Sequence, residues 1–549
     1  MRYNLSRLKF LDIPLLGVLL TTSLAFCVYF FDFTIDDAYI TLRYASHLAS
    51  GQGVRWNLGA DPVEGYTSTL WLLVGAVPHT IGIPPVLFVK IMGVVSLLLV
   101  IVGVYLIGRQ MGVDRWWIIP IVAILALNPA IALLAIQGME TTTAMAFVLL
   151  SAITTLRLSQ AYKRSWVFVL YITLFLGLLT RPDLVAYAGG LLAGLALVTY
   201  RRDGKKTTAR LTGWGVVLLL TPGVAFIAIR TAYFGYPLPN SFYIKEGGGL
   251  ISIAGAISTV EFIALVVAPL LIATLALTFK PTDTHKPVSF SQSAPLLGGI
   301  VAFLPLWAFI NPTQGYLWRF QSPILPAFLL LLFVLLRRVK FPDVKSLRAS
   351  VPLSSGIDER TIRTAGLVLL VVLLTLYPVQ FMNDTLQAES IRRSDDRVQM
   401  GQALEPLSGE GYRMFVSESG AVPYYSKWNA IDWLGLNSEE IAHNGRTLSY
   451  MREYNPDLIM TIVPATQSPL KGRPSLKRLI QTNNYRLAAV VQKSGSPGTY
   501  HAYYVDANSS GYQDIVCAVQ GVDAIEYKDI ASYSSFWNIS PVQPMCANQ

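Results

Sequence analysis

Long apolar runs separated by short polar segments fill the first 380 positions of the chain. Each run holds about 20 residues, the length that a helix needs to cross a lipid bilayer. The pattern therefore predicts a polytopic membrane protein. Its eleven predicted spans are 11–31, 87–108, 117–136, 140–156, 166–180, 184–200, 211–231, 250–279, 292–310, 322–336 and 364–381.

Basic residues cluster in the short segments around 157–164, 201–210 and 337–348. Such clusters are typical of cytoplasmic loops. Eleven crossings from a cytoplasmic N-terminus put all three segments inside and the C-terminus outside. The run at 69–83 is short and contains Pro78, so we interpret it as an interfacial or re-entrant helix. The first run is read as a retained signal-anchor.

Beyond position 382 the apolar runs stop, and short alternating strands follow amphipathic helices. "YRMFVSES", "LIMTIVP", "YRLAAVVQ" and "YHAYYVD" are predicted strands, with helices before the second and third. The sequence thus predicts a transmembrane catalytic domain over 1–381 with an external loop at 32–86. A soluble extracytoplasmic α/β or α+β domain is predicted over 382–549.

The composition supports a membrane protein, with 53% hydrophobic and only 14% charged residues. The net charge of +10 does not indicate nucleic-acid binding, because the basic residues lie in the predicted cytoplasmic loops. Cys517 and Cys546 fall in the predicted external domain, where they form either a disulfide or a pair of free thiols.

The external loop carries the first candidate chemistry. Asp36 and Asp37 begin the segment "DDAYITLRYASHLA", a predicted helix on which Arg43 shares a face with Tyr39. Acids at this position either stabilise the helix N-terminus or face a site. Glu64, Tyr66 and Trp71 follow in an aromatic stretch that suits a membrane interface or a sugar ring.

Further charged and polar residues lie at predicted external helix ends. Each long side chain there could extend to the bilayer surface; together, the cations suit a bound phosphate beside a carboxylate base. No cluster of histidines and cysteines with metal-ligand spacing is present in the sequence. The residues concerned are Glu140, Arg181, Asp183, Asn240, Lys245 and Arg319.

Several of these segments resemble a known family. "DDAYITLRYASHLASGQGVRWNLGADPVEGYTSTLW", "QGMET", "TRPDLV", "YFGYPLPNSFYIK" and "RFQSPILP" are similar to polyprenyl-phosphate-dependent GT-C glycosyltransferases, most closely the terminal arabinofuranosyltransferase (AftB) branch. "SESGAVPYYSKWNAIDWLGLNSEEIA" extends the resemblance into the soluble part. The family often has an aspartate before the glycine where this chain has Glu418-Ser419-Gly420.

The resemblance implies a mostly α-helical GT-C bundle in the cytoplasmic (inner) membrane, with its active site outside. It implies transfer of a pentose from a polyprenyl-monophosphate donor to a cell-envelope glycan. Asp36 and Asp37 match the family's catalytic acids, and we expect one of them to be the general base. No cofactor is required; a divalent metal between Asp36 and the phosphate remains open.

We expect Arg181, Lys245 and Arg319 to hold the leaving phosphate. The sugar site would involve Glu64, Tyr66 and Trp71, and further substrate contacts would come from Arg43, Glu140, Asp183 and Asn240. The C-terminal domain would bind the acceptor or stabilise the bundle, with Tyr424, Tyr425 and Asp432 as candidates for facing the cavity.

Two other functions stay open at this point. A glycan polymerase or ligase would use a lipid-pyrophosphate donor on the same face. A lipid-linked sugar transporter would place acids inside its spans and often have related halves, features that this sequence lacks.

Overall fold

The computed structural model describes residues 12–245, 252–278, 290–309, 316–337, 382–464 and 474–522 of the 549-residue chain. The part up to residue 337 is helical. Its helices are α1 (Asp12–Tyr29), α2 (Asp36–Ala49), α3 (Thr69–Ile81), α4 (Pro85–Gln110), α5 (Arg115–Ala126), α6 (Pro129–Ile136), α7 (Thr141–Leu158), α8 (Arg164–Thr180), α9 (Leu184–Gly215), α10 (Thr221–Phe234), α11 (Asn240–Lys245), α12 (Ile253–Phe262), α13 (Ala268–Thr278), α14 (Phe290–Leu306) and α15 (Leu325–Leu336).

Four helical segments in the described residues are long and apolar enough to cross a membrane, and a bent pair would make a fifth. Five shorter apolar helices, including α1 and α3, accompany them. The protein is therefore a membrane protein, while the count of eleven spans stays a prediction. The predicted span at 364–381 and Cys546 lie outside the described residues.

Three predicted spans have a different form in the structure. The run 117–136 is broken into α5 and α6, which meet at 52°. Asn128 caps α6 by accepting a hydrogen bond from the Ala130 amide at 2.9 Å, and Pro129 disfavours helical backbone before it. The runs 184–200 and 211–231 belong to one helical segment, Leu184–Phe234, which is kinked at Gly204 and in which Val216–Leu220 connects α9 to α10.

The C-terminal part forms a five-stranded mixed sheet in the order β2-β1-β3-β5-β4. Strands β2, β1 and β3 run parallel to one another. Strand β5 is antiparallel to both of its neighbours, β3 and β4. The four predicted strands are present; β2, which is short and flanked by turns, was not predicted. The elements are α16 (Met382–Arg393), α17 (Asp396–Leu404), β1 (Arg413–Val416), α18 (Ala421–Ser426), β2 (Asn429–Asp432), α19 (Glu439–Asn444), α20 (Leu448–Tyr454), β3 (Leu458–Pro464), α21 (Pro474–Thr482), β4 (Tyr485–Gln492), β5 (Thr499–Asp506) and α22 (Tyr512–Gln520).

The external loop packs directly onto this domain. Asn57 pairs with both backbone groups of Ala430 in the edge strand β2, accepting from its amide at 2.9 Å and donating to its carbonyl at 3.0 Å. The Trp56 indole also donates to the Ala430 carbonyl, at 2.7 Å. Side chains of the loop thus cover the open edge of the sheet.

Arg43 joins α2, the loop and the C-terminal domain. Its buried guanidinium donates to the carbonyls of Trp56 at 2.9 Å and Trp428 at 2.7 Å, and also to that of Pro423. These bonds satisfy backbone acceptors on both sides of the junction, so the side chain acts here as a structural connector.

We expect Arg43→Met to destabilise the protein, because the change leaves buried carbonyls without a donor, at roughly 1–3 kcal/mol for each. Thermal unfolding of the detergent-solubilised chain would show a midpoint lowered by several degrees. Arg452→Met, which removes an exposed arginine bonded to Thr482, is the matched control and should be near neutral. Equal midpoints for the two variants would contradict the connector role.

Candidate active site

The N-terminus of α2 presents the two adjacent aspartates in different directions. The amide of Ile35, just before the helix, donates to the Gln137 carbonyl at 3.1 Å and ties the helix start to the loop before α7. Neighbouring residues of a helix diverge by about 100°. Asp36 consequently faces the C-terminal domain, whereas Asp37 faces the ends of the apolar helices.

Asp37 forms an ion pair with Arg319. The Arg319 Nη2 atom lies 2.8 Å from Asp37 Oδ2, and the Asp37 side chain is 20% exposed. The Arg319 guanidinium lies 4.9 Å from the centre of the Phe320 ring, and that of Arg181 lies 5.5 Å from the same ring. Two of the three predicted phosphate-binding cations therefore lie beside one aromatic ring and one member of the acid pair.

Arg181 connects this group to two more acids. Its guanidinium lies 3.3 Å from Glu140 and 3.1 Å from Asp183. Burial raises the pKa of Glu140, and the nearby positive charge of Arg181 opposes that rise. The structure thus brings together five of the predicted site residues, which we call the arginine cluster: Asp37, Glu140, Arg181, Asp183 and Arg319.

Asp36 is held by the backbone of the C-terminal domain. Its Oδ2 accepts the Gly420 amide at 2.9 Å, and its Oδ1 accepts the Ala421 amide at 2.8 Å. A Cβ on Gly420 would lie 1.9 Å from the Asp36 carbonyl oxygen, so this close approach requires glycine. Burial raises the pKa of Asp36 to about 6, with Glu418 and Asp37 adding to the rise and Arg397 opposing it.

A buried charge network surrounds Asp36 on the domain side. Arg397 Nη1 lies 4.0 Å from Asp36 and 3.6 Å from Glu418. Glu418 also pairs with Lys493, and its Oε2 lies 2.9 Å from His501 Nε2. Burial alone would raise the pKa of Glu418, but His501 and Arg397 lower it well below its usual value. Glu418 is thus an ionised neighbour of Asp36.

The sequence reasoning missed the partners in this network. Arg397, Lys493 and His501 lie 361 to 465 positions beyond Asp36 in the sequence, and no local motif marks them. His501 is fully buried, and its Nδ1 lies 2.5 Å from Asp396. A histidine between two carboxylates can be recognised only once the fold is known.

Glu64 and Asn240 belong to a separate group. Both oxygens of Glu64 pair with Arg230, at 2.7 and 2.9 Å, and the Glu64 carbonyl accepts the Asn240 amide at 3.0 Å. Tyr66 packs on Tyr44, with the ring centres 5.1 Å apart. Arg230, which neutralises Glu64, was not predicted. The proposed sugar-binding roles of Glu64, Tyr66 and Asn240 stay predictions.

Trp71 and Arg43 also lie outside the arginine cluster. The buried Trp71 indole donates to the Gly138 carbonyl at 2.8 Å and so fixes the loop that precedes Glu140. Gly138 has a φ of +91°, and a Cβ there would lie 2.8 Å from the Cβ of Ala38. Lys245 ends α11, and its side chain is outside the described part of the structure.

The structure describes the surroundings of the three candidates in the C-terminal domain, and their roles stay predictions. Asp432 is fully buried and accepts the Leu434 amide at 2.8 Å, which stabilises the turn after β2. Tyr424 and Tyr425 each pack against Tyr39 of α2, with ring centres 5.4 Å apart. Within the described ranges, no group of three or more histidine, cysteine or acidic side chains is arranged to hold a metal.

Comparison with solved structures identifies the fold. ArnT from Cupriavidus metallidurans, a GT-C protein whose crystal structure is in the apo state, matches 89% of this chain and 97% of its own, with a TM-score of 0.52 and 14% identity. This chain has the GT-C fold.

The chain also matches a second solved structure and a domain family. The arabinofuranosyltransferase AftD from Mycobacteria, solved by cryo-electron microscopy, matches 91% of this chain and 42% of its own, with a TM-score of 0.46 and 15% identity. Residues 386–510 match a domain of unknown function, DUF8728. No protein of curated function matches the sequence. The AftB branch in particular is not supported by these matches.

The buried histidine generates a pH prediction. The pKa of His501 is raised from 6.5 to about 9: burial opposes the rise, and Asp396 and Glu418 cause it. Because the folded state raises this pKa, protonated His501 stabilises the fold. The stabilisation, at most roughly 3 kcal/mol, is fully present below about pH 6.5 and is lost as the pH rises through 9.

Thermal unfolding midpoints between about pH 6 and pH 10 would test this dependence. The wild type should lose stability across that interval, whereas His501→Gln should be less stable at the acid end and flatter with pH. Parallel curves for the two proteins would show that His501 does not contribute in this way.

Proposed function

We propose that this protein is a membrane glycosyltransferase that moves a sugar from a polyprenyl-monophosphate donor to a glycan outside the cytoplasm. Arabinofuranose is the first candidate sugar, on the resemblance of the external loop to the arabinofuranosyltransferases. The GT-C fold supports the class of protein. The observation that carries the proposal is the arginine cluster beside an acid pair at the ends of the apolar helices.

The location of the cluster suits a lipid-linked phosphate. Such a donor keeps its polyprenyl chain among the lipids and its headgroup at the membrane surface. Arg319 and Arg181 supply planar donors that suit phosphate oxygens, and their acidic partners hold both guanidinium groups in position before the donor binds. Phosphate would then replace carboxylate at one face of each arginine.

Asp36 is the better candidate for the general base. It lines a cavity between the bundle and the C-terminal domain, and the two amides that hold it leave other lone pairs free. A carboxylate with a pKa near 6 is also closer than an ordinary aspartate to the value that favours proton transfer near neutral pH. Asp37, paired with Arg319, would orient the phosphate-binding side.

The reaction then follows from these positions. Asp36 accepts the proton of an acceptor hydroxyl as that oxygen bonds to the anomeric carbon of the donor sugar. The bond between the anomeric carbon and the phosphate oxygen breaks, and its electron pair stays with the polyprenyl phosphate. Arg319 and Arg181 stabilise the charge that develops on the leaving phosphate.

Sugar transfer by the purified protein from a panel of polyprenyl-monophosphate donors, with arabinofuranose first, tests the proposal. Turnover of a pyrophosphate-linked donor alone would instead indicate a polymerase or ligase. Movement of a donor across vesicles without transfer would indicate a transporter. Repeating the assay with a chelator reports whether a divalent metal takes part, and the linkage of the product gives the stereochemistry.

We expect Asp36→Asn to lower the turnover number by about 10²–10⁴-fold, because the amide cannot accept the proton. Asp37→Asn should mainly change the KM for the donor, because it removes the carboxylate that holds Arg319 in position. Asp61→Asn changes an exposed acid of the same loop and is the control. Transfer at the wild-type rate by both Asp36→Asn and Asp37→Asn would rule out the acid-pair mechanism.

We expect Arg319→Met to reduce transfer by about 10²–10³-fold, the usual loss on removing one group that stabilises transition-state charge. Arg319→Lys keeps the charge but loses the planar fork, so it should restore activity only in part. Single-turnover rates with saturating donor separate this loss from weaker donor binding. If Arg319→Met transferred sugar at the wild-type rate, the arginine cluster would have no role in the mechanism.

A further inference from the structure

The helical segment that follows the kink at Gly204 changes from basic to apolar along its exposed surface. Lys206 and Arg210 are exposed in its basic part. No residue of Val216–Leu220 is buried in the described structure. An apolar surface that the protein leaves uncovered marks a site of interaction with lipid or protein. Its aliphatic side chains, each more than half exposed, are Val216, Val217, Leu220 and Val224.

Trp214 lies where the basic part of the segment ends and the apolar part begins. Its ring packs on that of Phe168 in α8, with the ring centres 4.7 Å apart, and the Arg164 guanidinium lies 4.8 Å from the centre of the indole. The Tyr171 hydroxyl donates to the Leu211 carbonyl at 3.0 Å, which fixes the segment against α8. Tryptophan beside basic residues is typical of the boundary between a bilayer and water.

Positive charge at this end of the bundle has few acidic partners. The segments 157–164 and 201–210 contain three and five basic residues, and their one acid, Asp203, pairs with its neighbour Arg202. Within the described residues, Arg164 and Arg210 have no ion pair with an acid. An anionic group would therefore be attracted here, without displacing a carboxylate from either arginine.

The order of chemical groups along the segment matches that of a phospholipid. Arg164 packs on Trp214, and Arg210 precedes that residue by one helical turn. Arginine presents planar donors that suit phosphate oxygens. A Cβ at Gly213 would have no atom within 4 Å, so the surface beside Arg210 is open. The exposed aliphatic side chains then continue in the direction that acyl chains would take from a phosphate at this level.

We infer that Arg164, Arg210 and Trp214 form a binding site for an anionic phospholipid of the surrounding bilayer. The lipid phosphate lies between the two guanidinium groups, with Lys206 adding to the positive charge around it. The glycerol region lies against Gly213 and the indole, and one acyl chain follows the exposed surface of Val216–Leu220.

This site is distinct from the arginine cluster. Arg164 begins α8, and Arg181 follows its last residue, so the 17 residues of the helix separate the two arginines by about 25 Å. A polyprenyl phosphate held by Arg181 therefore does not reach Arg164. The inference is consequently independent of the proposed glycosyl transfer.

A defined site has to be separated from general attraction to a bilayer. Long basic side chains reach the membrane surface without binding any particular lipid, and such attraction depends on the number of cations near the surface. A site depends instead on which cations are removed. Variants that lose equal charge at different positions therefore distinguish the two.

Native mass spectrometry of the detergent-solubilised full chain, titrated with phosphatidylglycerol or with zwitterionic phosphatidylcholine, tests the inference. We expect phosphatidylglycerol to bind at least tenfold more tightly. Each basic residue near an anionic lipid surface is worth about fivefold in affinity, so Arg164→Gln with Arg210→Gln should raise the dissociation constant for phosphatidylglycerol at least tenfold. Both arginines are exposed, and an unchanged thermal midpoint would confirm that the fold is kept.

Lys163→Gln with Lys205→Gln is the matched control, because it removes the same charge from two exposed residues at the same end of the bundle. At about 0.15 M salt, exposed charges more than about 8 Å from the phosphate are largely screened, so this control should change the dissociation constant by less than about twofold. Arg164→Lys with Arg210→Lys keeps the charge and should bind more tightly than the glutamine pair.

Fluorescence locates the bound lipid. Phosphatidylglycerol with brominated acyl chains quenches nearby tryptophans, and the quenching should fall in Trp214→Phe by more than it does with brominated phosphatidylcholine. Equal affinity for the two phospholipids, equal losses in the two glutamine pairs, or quenching that does not depend on Trp214 would overturn the site. Tighter binding of a polyprenyl phosphate than of phosphatidylglycerol, lost in the arginine variant, would also overturn it as a site for bilayer lipid.

Discussion

The contact between Asp36 and the amides of Gly420 and Ala421 is the constraint on which the rest of the arrangement depends. It joins the start of α2 to residues that follow it by more than 380 positions. The approach is so close that position 420 has no room for a side chain.

The contact also explains why so many charges are buried nearby. A carboxylate removed from water is costly unless hydrogen bonds and opposite charges surround it. The amides satisfy Asp36 directly, and Arg397 neutralises it together with Glu418. His501 and Lys493 then balance Glu418, so the network extends into the sheet of the C-terminal domain. The acid pair is thus divided between two environments, one within this network and one beside Arg319.

Features set by neighbouring residues could be predicted from the sequence, whereas contacts between residues far apart in the chain could not. The apolar runs and the strands after position 382 are local patterns, and most of them were predicted. The residues of the arginine cluster could also be named, because the positive-inside pattern puts their helix ends on one face. The ion pairs among these residues could not be predicted. The partner of Glu64 could not be predicted either, because Arg230 lies within a predicted span.

The charge network around Asp36 could be predicted least. Glu418 was recognised only as a departure from an expected aspartate, and nothing in its neighbourhood indicated His501 or Lys493. The break between α5 and α6 had a visible signal in Asn128 and Pro129, yet the apolar run outweighed it. Hydrophobic length predicts that a segment is buried in lipid, but it does not predict where the helix bends.

The cover over strand β2 has a consequence of a different kind. An edge strand with free amides and carbonyls is a template for pairing with another chain. Membrane proteins lie in one plane with a common orientation, so identical sheet edges on neighbouring molecules meet at the same height. By occupying both backbone groups of Ala430, Asn57 removes that template. The external loop that carries Asp36 and Asp37 therefore also covers the edge of the sheet at Ala430, where another chain could otherwise pair.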